Sequence, residues 1–263
     1  FMTSRHSGSL KNRSSRAQWR QRCVAGSATG AERHPLPTDV RSIRHWSWWR
    51  PIALRVLAAY VAAWAVGIGF GMLLRAAGVW NGAAWEREVL RWFHERPLPS
   101  LLDRMMLAAP LFGTNLTILP AMLVVGWWLW KERREPVLGA HLLIVAVGSL
   151  SLNPTMKYLL DRDRPDMYPA RGMYNWASYP SGHAILTVAL YFTLALMLRR
   201  ARGWWWPFVV APVIVLLTCY SRLYLAVHWP TDLIGGVLIG LVWLAGTWRA
   251  FSALEPPAFV RDR

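Results

Sequence analysis

The feature that most constrains this chain is a set of long stretches with almost no charge. Ile52 to Leu74 carries a single Arg in 23 residues, Met105 to Trp130 carries no charged residue in 26, and Val137 to Met156 carries none in 20. An α-helix needs about 20 residues to cross roughly 30 Å of hydrocarbon. Helices of soluble proteins are shorter and apolar along one stripe, whereas here the apolar character runs right round the segment. Three further segments, His183 to Leu198, Trp204 to Tyr220 and Pro230 to Trp248, are shorter or carry a polar residue such as Asp232 near one end. A bundle tolerates such spans when the polar end faces a water-filled site. The expected fold is all-α, a polytopic membrane domain of six transmembrane helices over residues 51–250, flanked by tails at 1–50 and 251–263.

The formal charge of +16 raises the question of nucleic acid. Its placement argues against that partner. Residues 1–50 hold ten Lys or Arg against Glu32 and Asp39, half of the net charge, in a Ser-, Arg- and Gly-rich stretch without apolar periodicity. This segment reads as a disordered cytoplasmic tail lying near anionic phospholipid headgroups. It lacks the apolar core and small-residue cleavage site of a signal peptide, and Phe1 before Met2 hints at a misplaced start. With the tail cytoplasmic, six spans put the Lys131–Glu135 turn and the run Arg199 to Arg202 inside, as the excess of cations in inner loops requires. The loops Gly78 to Asp103, Lys157 to Tyr179 and Ser221 to Trp229 then lie on the outer face. Cys23 and Cys219, the only cysteines, are too isolated to pair or to make a metal site.

Between the spans, Trp80 to Phe93 mixes aromatic and aliphatic residues with Glu86, Arg87, Glu88 and Arg91. It suits a helix lying at the membrane interface, or equally one packed on the bundle. Pro110, Gly113 and Pro120 predict kinks in the second span. Gly67, Gly69, Gly71, Gly235, Gly236 and Gly240 predict close helix packing.

Three polar clusters fall on the same predicted face. The first, Lys157 to Pro165, places Lys157 and Arg164 where the third span leaves the membrane; alone, these could be snorkelling anchors. The second, Tyr179-Pro-Ser-Gly-His183, opens the fourth span. Ser181 stands near the N-cap, Gly182 permits close approach of a ligand, and the helix start is an anion site; alone, it is a well-capped helix. The third runs from Ser221 and Arg222 to His228 and Asp232, whose spacing of four puts them on one helical face. A carboxylate beside an imidazole fixes the ring tautomer, although a surface His–Asp pair can also cap a helix. Together the clusters offer cations and backbone donors for phosphoryl oxygens, one imidazole to attack phosphorus and another to protonate the departing oxygen.

These residues resemble the signatures of the type 2 phosphatidic acid phosphatase superfamily, in its bacterial membrane lipid phosphatase branch. Lys157, Arg164 and Pro165 match Lys, six residues, Arg-Pro. Pro180 to His183 match Pro-Ser-Gly-His. Ser221, Arg222, His228 and Asp232 match Ser-Arg, five residues, His, three residues, Asp. The only departure is Tyr179, where Phe is frequent. The resemblance implies that His228 is the nucleophile, forming a phosphohistidine, that Asp232 orients it, and that His183 is the general acid. It implies that Lys157, Arg164, Arg222, Ser181 and Gly182 hold the phosphoryl group, without metal or other cofactor. Asp161, Asp163 and Asp166 are not expected to hold a metal; two of them are expected to face the basic cluster and tune it.

The expected substrate is a membrane lipid phosphate or pyrophosphate, first of all undecaprenyl pyrophosphate, at the outer face of a bacterial inner membrane. The alternatives are phosphatidylglycerol phosphate or phosphatidic acid, and a lipid phosphotransferase using the same histidine chemistry. The loop Asp166 to Ser178, with Arg171, Tyr174 and Trp176, is the expected cover of the entrance. The sequence does not fix monomer against homodimer.

Overall fold

A computed structural model of the chain describes residues 46–131, 135–169, 171 and 177–252. The expected basic tail, the tip of the Lys131–Glu135 turn, Tyr174, Trp176 and the C-terminal tail lie outside them. Among the described residues all regular structure is helical: α1 (Trp46–Ala76), α2 (Ala84–His94), α3 (Ser100–Ala108), a 3₁₀ turn (Ala109–Gly113), α4 (Asn115–Lys131), α5 (Pro136–Leu160), α6 (Gly182–Arg202), α7 (Pro207–Tyr224) and α8 (Pro230–Ser252).

Five of these, α1 and α5 to α8, are long and apolar enough to cross a membrane. The second expected span, Met105 to Trp130, is not one helix. Pro110 and Gly113 lie in the 3₁₀ turn, Thr114 is extended at φ −88° and ψ 147°, and α4 begins afresh after it. The resulting α4 has 17 residues, about 25 Å of helix. The multi-pass, all-helical expectation therefore holds, with five helices among the described residues long and apolar enough to span and the sixth not shown.

α8 is the centre of the bundle, packed against α1, α6 and α5. Close approach is bought with small residues: a Cβ on Gly236 would sit 2.6 Å from the Ser181 carbonyl oxygen, and one on Gly240 3.0 Å from that of Ile185. Gly69, by contrast, faces open space and serves no packing. The core gathers Met156, Ile185, Leu190, Ile239 and Trp243, all buried. The Trp243 indole donates to the Val145 carbonyl at 3.1 Å, so its polar group is satisfied inside the apolar core. Leu54, Leu57, Val61, Val209, Val213 and Leu216 are exposed, as a lipid-facing surface allows.

At one end, the start of α1, the start of α5 and the end of α8 meet around Ile52, Ala250 and Phe251. The opposite end therefore receives the end of α5, the start of α6, the end of α7 and the start of α8, the four places that carry the polar clusters. α2 packs there against α7 and α8, burying Glu86, Leu90 and Phe93 while Trp85 and Trp92 stay about half exposed. It is thus a helix packed on the bundle with an aromatic outer face.

Candidate active site

Helix ends aim the site residues. α5 stops at Leu160, where Asp161 takes a left-handed conformation, φ 43°, and turns the chain inward. Short polar side chains tolerate that region better than most. α7 ends similarly: Val227 N–H donates to the Arg222 carbonyl at 3.2 Å, with Ala226 at φ 53°. This C-terminal cap satisfies helix carbonyls and turns Val227 and His228 back over the bundle. Pro230 then opens α8, where a missing N–H costs nothing.

His228 and Asp232, the first turn of α8 apart, meet: His228 Nδ1 lies 3.4 Å from Asp232 Oδ2, and both side chains are buried. Asp232 Oδ2 also accepts from the Trp229 backbone N–H at 2.8 Å. Burial, and then the charges of Lys157, Arg164 and Arg222, hold the His228 imidazole well below its ordinary pKa; the Ser178 carbonyl, hydrogen-bonded to the ring, works the other way. The ring is therefore held neutral, with a lone pair to offer.

The cations converge from three elements. Lys157, at the end of α5, donates to the carbonyls of Ala177 and Ser178. Arg164 donates to the carbonyls of Val227 and Ala177, which fastens the loop after α5 to the His228 segment. Arg222 is fully buried in the last turn of α7 beside Ser221, whose hydroxyl donates to the Met106 carbonyl at 2.8 Å.

The second cluster differs from its sequence reading in two respects. Ser181 occupies the N-cap position of α6, but its side chain makes no capping bond. Gly182 is required by a neighbour: a Cβ there would lie 2.4 Å from the Asn153 amide nitrogen. Asn153 precedes Lys157 by one turn of α5 and was not anticipated, because a single Asn in an apolar helix has no signature. Ser181 Oγ, Asn153 Oδ1 and His183 Nε2 are all buried without a hydrogen-bond partner among the described residues. Three unsatisfied polar atoms at one helix start are costly, and a helix N-terminus is where an anion would settle. His183 lies within electrostatic reach of His228, Arg222, Lys157 and Arg164.

None of the three acidic residues of the loop after α5 is buried against the cations. Asp161, Asp163 and Asp166 are all exposed. Asp163 contributes its backbone carbonyl, which accepts from Ser178 Oγ and the Trp229 indole. Their places are taken by Glu86 and Asp232, both buried; the alternating exposure of 161–164 turns Arg162 inward and its acidic neighbours out.

A sequence profile of the PAP2 superfamily matches residues 120–256, just over half of the chain. The chain belongs to the PAP2 superfamily. It is 32% identical over 133 residues to the putative undecaprenyl-diphosphatase YbjG of Escherichia coli, a match covering 48% of this chain and 63% of that one. It is 30% identical over 128 residues to an undecaprenyl-diphosphatase of Sulfolobus acidocaldarius, covering 47% and 57%. It is 29% identical over 146 residues to phosphatidylglycerophosphatase B of Bacillus subtilis, covering 54% and 71%. The matches to the first two thus span less than two thirds of those proteins. Among solved PAP2 structures, a transmembrane phosphatidylglycerolphosphate phosphatase from Bacillus subtilis superposes with a TM-score of 0.66 at 22% identity, over 78% of this chain and 98% of that one. The two share the fold.

Proposed function

We propose that this PAP2 protein is a lipid phosphatase that attacks phosphorus with His228, and that undecaprenyl pyrophosphate at the outer face of a bacterial inner membrane is its first substrate. The observation that carries the reading is the meeting of three sequence-distant clusters around one buried, neutral imidazole backed by a carboxylate. In the first step the His228 Nε2 lone pair forms a bond to phosphorus. The bond from phosphorus to the leaving oxygen breaks, and His183 gives that oxygen its proton. Asp232 accepts from Nδ1–H and stabilises the positive charge that the ring acquires. In the second step His183 takes a proton from water, whose oxygen attacks phosphorus and frees His228. Lys157, Arg164 and Arg222, with Ser181 and the Gly182 N–H, hold the non-bridging oxygens as charge builds on them.

The relatives named above act on two lipid classes, an isoprenoid diphosphate and a glycerophospholipid phosphate, and the phosphoryl chemistry is common to both. Phosphate release by purified protein in detergent with EDTA, from undecaprenyl pyrophosphate, phosphatidic acid and phosphatidylglycerol phosphate, separates them. The reading expects release from at least one, highest kcat/KM for undecaprenyl pyrophosphate, and loss of release in His228→Ala. Transfer of the phosphoryl group to a second lipid without free phosphate would make the protein a phosphotransferase. Release undiminished by His228→Ala would overturn the histidine mechanism.

A further inference from the structure

Behind Asp232 lies a second buried layer that no signature includes. The Arg162 side chain is fully buried. Its Nε donates to the Trp80 carbonyl at 2.8 Å, and Nη2 to the Val79 carbonyl at 3.0 Å and to Glu86 Oε2 at 3.1 Å. Its Nη1 donates to Thr231 Oγ1 and to Asp232 Oδ1, each at 2.7 Å. Glu86, also fully buried, accepts from the N–H of Ala83 and of Thr231 at 3.1 Å and from the Thr231 hydroxyl at 2.6 Å. Three elements, α2, the loop after α5 and α8, are joined by charge-assisted bonds in a region that shuts out water. Burying these charges is expensive, and anchoring α2 to α8 needs only apolar contact. The arrangement therefore calls for a role besides cohesion.

We propose that Arg162 and Glu86 are positioning residues for the nucleophile, acting through Asp232; the inference rests on the reading of His228 given above. Arg162 engages Oδ1 of Asp232 and leaves Oδ2 to face His228 Nδ1. Arg162 Nη1 on Oδ1 and the Trp229 N–H on Oδ2 fix the plane of the carboxylate, and the other bonds of the guanidinium hold Nη1 itself in place. That plane decides which acceptor the imidazole proton finds, since the Ser178 carbonyl also bonds the ring. A proton on Nδ1 leaves the Nε2 lone pair for phosphorus. Glu86 balances the charge. Arg162 alone would cancel Asp232 and leave a neutral pair behind a ring that already faces Lys157, Arg164 and Arg222. With Glu86 ionised the trio keeps one net negative charge, and the cationic ring of the phosphohistidine is stabilised.

The test uses the full-length protein in micelles, reading kcat, KM, thermal unfolding and the ¹⁵N shifts of the His228 imidazole. Glu86→Gln keeps the shape and removes the charge; Glu86→Asp keeps the charge and spoils the shape. The expected result is a kcat for Glu86→Gln lower by on the order of tenfold or more, KM little changed, and Glu86→Asp the more active of the two. Arg162→Lys should lower kcat and turn the wild-type Nδ1–H tautomer of His228 into a mixture. Glu86→Gln more active than Glu86→Asp would reduce Glu86 to a packing role and overturn the charge argument. An Nε2–H tautomer in the wild type, or one unmoved by Arg162→Lys, would overturn the positioning argument, and the wild-type spectrum decides this even where a variant fails to fold. A wild type with the expected tautomer that releases no phosphate from any lipid would sink the phosphatase reading and leave the positioning intact.

Discussion

The backbone N–H of Ser181 donates to the backbone carbonyl of Asp232 across 3.0 Å. This bond ties the start of α6 to the first turn of α8, and so the second signature to the third. It is possible because Gly236, one turn further along α8, lets the Ser181 carbonyl come within 2.6 Å of where a Cβ would stand. Gly236→Ala should force the helices apart. We expect a loss of about 1–3 kcal/mol from overpacking and a fall in kcat larger than the stability loss explains, because Ser181 and His228 move relative to each other. Unfolding and single-turnover phosphate release on the same preparation check this.

His228 sets a pH dependence whose direction follows from its surroundings. Its pKa is held below the ordinary 6.5, first by burial and then by Lys157, Arg164 and Arg222; Asp232 and the Ser178 carbonyl face the ring from the other side, and His183 stands near. In the proposed mechanism His228 attacks as the neutral ring, so the acid limb of kcat/KM should lie below pH 6.5. Lys157→Met removes a cation and should move that limb upward. The folded state favours the neutral ring, so this group's contribution to stability is complete above pH 6.5 and is lost as pH falls from there toward the folded value. An acid limb above pH 6.5 would contradict the assignment.

Tyr179 is fully buried and its hydroxyl donates to the Gly67 carbonyl at 2.7 Å, fastening α1 to the segment before the site. Tyr179→Phe should cost about 1 kcal/mol of stability and leave kcat within about twofold, the ring still filling the space beside Gly71 and Gly235. Thermal unfolding and steady-state kinetics in one lipid system measure both.

Arg171 clamps Asp103 with two bonds of 2.5 and 2.9 Å, and the Tyr224 hydroxyl reaches the same carboxylate at 2.7 Å. The Arg171 contact, and then Tyr224, hold the Asp103 carboxyl well below the usual carboxylate range. The clamp is partly exposed and so screened by salt, and it orders the loop beside the site more than it stabilises the fold. Asp103→Asn should raise KM with kcat within about twofold, and the wild-type KM should rise with ionic strength. A change in kcat alone would place this contact in the chemistry instead.

The membrane bundle was legible in the sequence because hydrocarbon demands long uncharged helices, and the runs in α1, α5 and the spans after them meet that demand without reference to neighbours. The three polar clusters were legible because each is local: His228 and Asp232 are four residues apart, and Lys157 and Arg164 frame one helix end. The break between α3 and α4 was announced by Pro110 and Gly113 as a kink, but whether a kink becomes an interruption depends on what packs against it. There Gly113 lies against His183 and Thr187, two residues of α6.

What the sequence by itself determined, then, is the class of fold and the identities of the residues at the helix ends, since both follow from periodicity and short-range spacing. Only the tertiary structure decided which further carboxylate stands behind Asp232. Asp161, Asp163 and Asp166 stand beside the cations in sequence and turn outward, while Glu86, 76 residues before Arg162, is buried against it. The reason is physical: a buried guanidinium must satisfy every donor at once, and only folding brings together the carbonyls of Val79 and Trp80, the hydroxyl of Thr231 and two carboxylates from separate helices.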